Sequence, residues 1–204
     1  MNFEDCSVSA FTEALASKSS VPGGGGASAL VGAIGIALGD MVGEFTTGKK
    51  TYAAVEAEIQ ALMAEAQTLR VRLLACIEKD AIAFEPLSRA YGIPKDDPDR
   101  DAVMEQCLQA AAAVPLEILE LAARTIELQQ AFAEKGSRLM TSDAATGAAM
   151  CRAALQGAAV NVKINTRSMK NRTVAEELNR RTDALLEKYA PMAEQVFTSV
   201  YSKY

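Results

Sequence analysis

Residues 25–47 read GGASALVGAIGIALGDMVGEFTT, an apolar, proline-free run with Gly48 immediately after it. Such a run, closed by a glycine suited to a C-cap, predicts a helix. Within it Gly35, Gly39 and Gly43 recur at four-residue spacing. Glycine inside a helix costs about 1 kcal/mol against alanine, so three on one stripe need a compensating gain. Close backbone approach by another helix supplies one, as in interfaces of small residues one turn apart. A membrane span is the competing reading. The uncharged run from Ala27 to Gly39 is followed by Asp40 and Glu44, short of the roughly 20 residues a bilayer requires. The segment reads as the central helix of a soluble bundle.

The rest of the chain agrees. Half of its 204 residues are hydrophobic, only 5% are aromatic, and much of the apolar content is Ala, Leu and Met, strong helix formers. The expectation is an all-α fold: one antiparallel bundle of long helices formed by residues 1–204 as a single domain. Further helices are predicted over about Ser7–Ser17, Thr51–Arg89, Asp101–Glu134, Asp143–Asn165 and Arg172–Tyr204. Pro86 should distort a last turn, Pro115 should kink, and Pro191 should interrupt the final helix. Gly92 to Asp99, rich in proline and aspartate, is the clearest internal loop.

Several chemistries are excluded. The net charge is -5 with the signs interspersed, which leaves no basic surface for nucleic acid. Cys6, Cys76, Cys107 and Cys151 show neither CxxC nor regular spacing, so reduced thiols are expected rather than disulfides or a zinc site. The N-terminal residues lack the pattern of a signal peptide, and a cytoplasmic protein is expected. The chain contains no histidine. That removes Ser-His-Asp and Cys-His nucleophiles and leaves Asp, Glu, Lys, Tyr or Cys for proton transfer.

Four groups of residues are candidates for chemistry. The first is the loop Ser19-Ser20-Val21-Pro22-Gly23-Gly24-Gly25-Gly26. Its glycines leave the backbone unobstructed where a helix starts, and amides there lack intrahelical partners. It is either an anion or carbonyl cradle or a flexible connector, and it matches no nucleotide motif. Second, Asp80 falls on the apolar stripe of Leu73, Ile77 and Phe84. It is either a general acid or base with a raised pKa or a structural carboxylate paired with a core cation. Third, Asn161 and Asn165 lie one turn apart, placed either to read a flat polar heterocycle or to bond between helices. Fourth, Lys49 and Lys50 follow the glycine-striped helix, as a solvated end or as ligands for carboxylates. Asp143 reads as an N-cap.

These residues resemble the cyclodeaminase domain of formiminotransferase-cyclodeaminases and their stand-alone bacterial relatives, some of which are methenyltetrahydrofolate cyclohydrolases. The resemblance rests on Ser20-Val21-Pro22-Gly23-Gly24-Gly25, on Met41-Val42 with Thr46, Thr47 and Gly48-Lys49-Lys50, on Asp80-Ala81-x-Ala83-Phe84, and on Ala158-x-x-Asn161-Val162-x-x-Asn165. Gly26 departs from it, standing where a small polar residue is expected. The resemblance implies a homodimeric folate enzyme whose substrate is a tetrahydrofolate derivative, with no metal and no further cofactor. It implies Asp80 as the proton-transfer group, Asp143 as a second carboxylate, and Phe84 stacked on the pterin. Asn161 and Asn165 would bond the pterin. Ser20, Pro22, the amides of Gly23, Gly24, Gly25 and Gly26, and Lys49 or Lys50 would hold the polar and anionic parts. A non-catalytic helical folate-binding protein is the alternative.

Overall fold

The computed structural model describes residue 3 and residues 6–203. Among these there are six α-helices and no strand. They are α1 (Val8–Leu15), α2 (Gly24–Glu44), α3 (Glu56–Ala90), α4 (Arg100–Lys135), α5 (Thr141–Ser168) and α6 (Arg172–Tyr201), with short 3-10 turns at Lys50–Val55 and Arg138–Met140. The all-helical expectation holds. Residues 1, 2, 4, 5 and 204, at the two ends of the expected single domain, lie outside the described residues.

The glycine-striped helix is central, with α5 and α3 as its main neighbours and α4 behind. Its glycines do not serve one partner. A Cβ on Gly35 would stand 2.7 Å from the Cys151 sulfur and 3.0 Å from the Gly147 carbonyl oxygen of α5. One on Gly39 would meet Phe132 and Gln129 of α4 at 2.9 and 3.0 Å, and one on Gly43 would meet Met63 of α3 at 2.4 Å. Each four-residue step turns the stripe by about 40°, so three glycines in series address three neighbours. Gln129 marks the centre of this packing, where its Nε2 donates to the Gly35 carbonyl at 2.6 Å. The opposite contacts are equally close: Gly157 of α5 would clash with Ser28 at 2.3 Å.

The main core takes residues from all six helices, including Phe11, Ile36, Leu73, Ile126, Leu155 and Ala193. A smaller core of Leu87, Leu108, Ala111, Ala112, Met169 and Ala175 closes the end of the molecule near the loop after α3, with Phe84 packed on it. Both α2 and α4 are long and apolar enough to cross a bilayer by composition. Of the most apolar stretch of each, 56% in α2 and 39% in α4 is buried inside the fold.

Several boundaries differ from expectation. The run from Lys50 to Val55 is a 3-10 turn, so α3 starts at Glu56. Pro86, Pro115 and Pro191 all lie inside continuous helices. Pro191 does not interrupt α6, because buried Tyr189, Ala193 and Val196 hold the helix on both sides of it. Asp143 is not an N-cap: Met140 holds that position and Asp143 sits in the first turn of α5, where its charge still suits the helix dipole. All four cysteines are free. Burial pushes the thiols of Cys76 and Cys151 up to about 11 and about 12, so neither is a thiolate at neutral pH.

Candidate active site

The glycine loop starts α2 alongside α3, which it follows from Gly26 beside Ile77 to Gly43 beside Met63. Val21–Pro22 is a cis peptide bond, and Gly23 takes the N-cap position with an extended backbone and no side chain to cap the helix. The cap comes from elsewhere. Asp80, from α3, accepts a hydrogen bond from the Gly26 amide on its Oδ2 at 2.9 Å. Gly25 must be glycine for this contact, since a Cβ there would lie 2.3 Å from Asp80 Oδ1. A carboxylate is thus held against the amide-rich positive end of α2.

Burial pushes the Asp80 carboxyl above its ordinary value of 3.8, and the Gly26 hydrogen bond only partly opposes this. No charged neighbour contributes to the shift. The structural alternative of a core carboxylate paired with Lys or Arg is therefore not what is found: among the described residues Asp80 has no ion pair. The nearby Lys79 turns outward to Glu117 at 3.1 Å. Asp80 is half-buried, which makes an uncompensated carboxylate costly, and its open side faces a cleft.

That cleft has a volume of about 120 Å³. Ser20, Gly23, Gly24, Gly25, Asp80, Phe84, Asn161 and Asn165 line it, together with Val21, Ala111, Pro115 and Ile164. Pro22 is buried beneath the loop, and a Cβ on Gly26 would touch it at 3.8 Å. The structure therefore brings together the loop, the carboxylate, the aromatic ring and the two amides from three separate stretches of sequence. The asparagines are partly committed. Asn165 Nδ2 donates to the Ala111 carbonyl at 2.9 Å and to that of Asn161 at 3.0 Å, joining α5 to α4. Asn161 Nδ2 donates to the Gly157 carbonyl at 2.8 Å. Asn165 thus has both N–H donors used and offers a ligand its amide oxygen, whereas Asn161 keeps one N–H donor as well as its oxygen.

Lys49, Lys50 and Asp143 are not in this cleft. The 21 residues of α2 span about 30 Å, which places both lysines at the far end of the helix. Asp143 opens α5 while Asn161 and Asn165 lie about five and six turns on, about 27 and 33 Å away. Within one chain these three residues therefore stand apart from Asp80. No Lys or Arg lines the cleft at all. The sequence reading missed Ala111, Pro115 and Ile164. Pro115 had been read only as a kink, and nothing in the pattern distinguishes Ala111 from its alanine neighbours. Among the described residues no cluster of His, Cys, Asp or Glu suits a metal ion.

The comparisons with known proteins accord with this geometry. The chain is 36% identical to the methenyltetrahydrofolate cyclohydrolase of Methylorubrum extorquens over 96% of each protein. It is 29% identical to the rat formimidoyltransferase-cyclodeaminase across 98% of its own length, but covers only 38% of that longer protein. Its fold matches the crystal structure of a formiminotetrahydrofolate cyclodeaminase from Thermotoga maritima with a TM-score of 0.85 and 28% identity, covering 97% of this chain and 98% of that one. A family model described as formiminotransferase-cyclodeaminase matches residues 7–184. The chain belongs to the formiminotransferase-cyclodeaminase family.

Proposed function

We propose that this protein is a cytoplasmic, homodimeric folate enzyme that acts on the carbon bridging N5 and N10 of tetrahydrofolate, as a methenyltetrahydrofolate cyclohydrolase. The observation that carries the proposal is Asp80, a half-buried carboxylate with no counter-charge, open to a cleft. 5,10-Methenyltetrahydrofolate is a delocalised amidinium cation. Bound there, it supplies the missing positive charge at the atom that reacts, so desolvation of Asp80 strengthens its attraction for the substrate.

In the proposed reaction Asp80 handles every proton transfer at the bridging carbon. Water adds to the bridging carbon and gives one proton to Asp80, forming a tetrahedral carbinol. The bond from carbon to N5 then breaks, N5 takes the proton back from Asp80, and the hydroxyl proton is released as the formyl carbonyl forms on N10. One carboxyl group serves as base and then acid, a task that suits a pKa raised toward neutrality. Phe84 stacks on the pterin, the oxygens of Asn161 and Asn165 accept from its N–H groups, and the loop amides meet its polar edge. No step needs a metal or a second cofactor.

The likeness to the Thermotoga maritima cyclodeaminase favours a second reading. There N10 attacks the formimino carbon of 5-formiminotetrahydrofolate, Asp80 takes the N10 proton and returns it to the departing amine, and ammonia leaves. The substrate carbon is again part of an amidinium when protonated, so the same site serves. Two assays separate the readings. A cyclohydrolase accelerates loss of the methenyl absorbance over buffer, whereas a cyclodeaminase generates that absorbance from 5-formiminotetrahydrofolate with release of ammonia. Activity in neither assay, with folate still bound, leaves a non-catalytic folate-binding protein.

A further inference from the structure

Asp80 uses only one of its carboxylate oxygens to hold the fold. Oδ2 accepts the Gly26 amide, and Oδ1 lies toward Gly25, whose missing Cβ leaves room for it. The amides just before Gly26 are free as well. Gly24 and Gly25 are the first two residues of α2, and neither amide has an acceptor among the described residues. Both glycines line the cleft beside Asp80. From the other side comes Asn161 of α5, whose Nδ2 would stand 3.0 Å from a Cβ on Gly24. After its bond to the Gly157 carbonyl, that nitrogen keeps one N–H unused.

Asn165 shows independently that a ligand belongs here. Only 7% of it is exposed, and both of its N–H donors are taken by the carbonyls of Ala111 and Asn161. Its amide oxygen has no donor among the described residues, yet the residue lines the cleft. A buried acceptor left in this way calls for a donor from a bound molecule. The ligand therefore lies between Asn165 and the first turn of α2. At the Asp80 end of that space an acceptor from α3 meets donors from α2 and α5, which is the complement of a water molecule.

We propose that Asp80 Oδ1, the amides of Gly24 and Gly25 and the unused N–H of Asn161 hold the water that attacks the bridging carbon, so that backbone donors of α2 are catalytic groups. This deepens the folate reading and rests on it. One lone pair of the water forms the bond to carbon, its proton passes to Oδ1, and the electron pair of the broken C=N π bond moves to nitrogen. The second lone pair stays on the donors, which carry the oxygen into the carbinol and on to the formyl carbonyl. Negative charge builds on this oxygen as its proton leaves, and donors already in place stabilise it there. Ser20 and the Gly23 amide are left to meet the polar edge of the pterin.

A proline tests the Gly24 donor. Position 24 is the first of the helix, where the fixed φ of proline fits and its missing N–H removes no helical hydrogen bond. Gly23 before it is already extended, at φ -128° and ψ -161°, as the residue preceding a proline requires. Gly24→Ala adds the Cβ but keeps the N–H, and serves as the reference. Gly24→Pro should melt close to Gly24→Ala and turn over 5,10-methenyltetrahydrofolate about tenfold or more slowly in kcat, with KM little changed. The acid limb of its pH–rate profile should stay where Gly24→Ala has it, because Asp80, the one titratable side chain lining the cleft among the described residues, is untouched. Equal kcat in the two variants would remove the donor from the reaction. A displaced acid limb would show that proline acts by moving Asp80, and either result overturns the proposal. If the proline variant does not fold, glycolic acid at residue 24 replaces the amide by an ester, removes the same N–H without a ring, and is read against the wild type by the same outcomes. Those outcomes leave the folate reading standing, whereas a wild type that does not accelerate methenyl hydrolysis sinks the cyclohydrolase reading and the water site together.

Discussion

Asp80 holds its place through two opposed effects. Burial favours the neutral acid, and the Gly26 amide favours the carboxylate, the first being the larger. Because the folded-state pKa lies above the unfolded value, the native state binds the proton more readily. Asp80 therefore favours folding fully below the unfolded pKa, and that contribution is lost as pH rises through the folded one. Asp80→Asn keeps an oxygen for the Gly26 amide but cannot ionise. Its Tm should exceed that of the wild type by a margin that grows from pH 4 upward and then levels, about where the carboxyl finishes titrating; a constant margin would mean that Asp80 is not titrating in that window. Turnover should fall by about hundredfold or more, and a near-normal rate in the folded variant would remove Asp80 from the mechanism. Gly25→Ala separates geometry from stability. The added methyl lies against the movable carboxyl of Asp80, and alanine is the better helix former by about 1 kcal/mol. The variant should fold as well as the wild type yet lose turnover by about tenfold or more, measured by thermal melting and the methenyl assay side by side. Full activity would show that the position of the carboxyl is not critical.

At the level of elements, α2 was the most legible part of the chain, and its glycines show where legibility ended. Their spacing announced close approach, but one sequence cannot say that Gly35 meets α5 while Gly39 meets α4 and Gly43 meets α3. That depends on three helices converging on one. The loop after Ser19 and the Asp80 stripe were legible for the same reason, as local departures from helix composition. Their juxtaposition was not, since the Gly26 amide and the Asp80 carboxylate are 54 residues apart. The family resemblance implies roles in the folate site for Lys49, Lys50 and Asp143, and within one chain the length of the helices carries them away from the cleft. The packing has a test of its own. Gly35→Ala sets a methyl against backbone atoms of Gly147 and Cys151, which cannot swing aside, and should destabilise the fold by about 1–3 kcal/mol in denaturant titration. Gly23, whose Cβ would meet nothing within 4 Å, should accept alanine with little change. Equal effects at the two positions would contradict the close approach of α2 and α5.

Across the whole molecule, stability is divided unequally between two cores, and the cleft lies against the weaker. The main core runs along α2, α5 and the second half of α4, whereas the second is a small cluster around Leu87, Leu108 and Met169. Phe84 packs on that second cluster and also lines the cleft, as does Ala111, whose carbonyl receives Asn165. Few buried contacts mean a low free energy of local opening. Opening this cluster would release the ring that stacks on the pterin and the carbonyl that orients Asn165, so a bound folate should hold it shut. Amide hydrogen exchange is the measurement. Without ligand, the amides of 84–91 and 103–112 should exchange well before those of 118–132 in the main core. With a folate at about a hundredfold excess over its Kd, exchange in the first two segments should slow by up to about a hundredfold. The main core should change less, because its slowest amides already report global unfolding. Uniform protection across all three segments would mean that the molecule opens as one unit and that the cleft is not the mobile end.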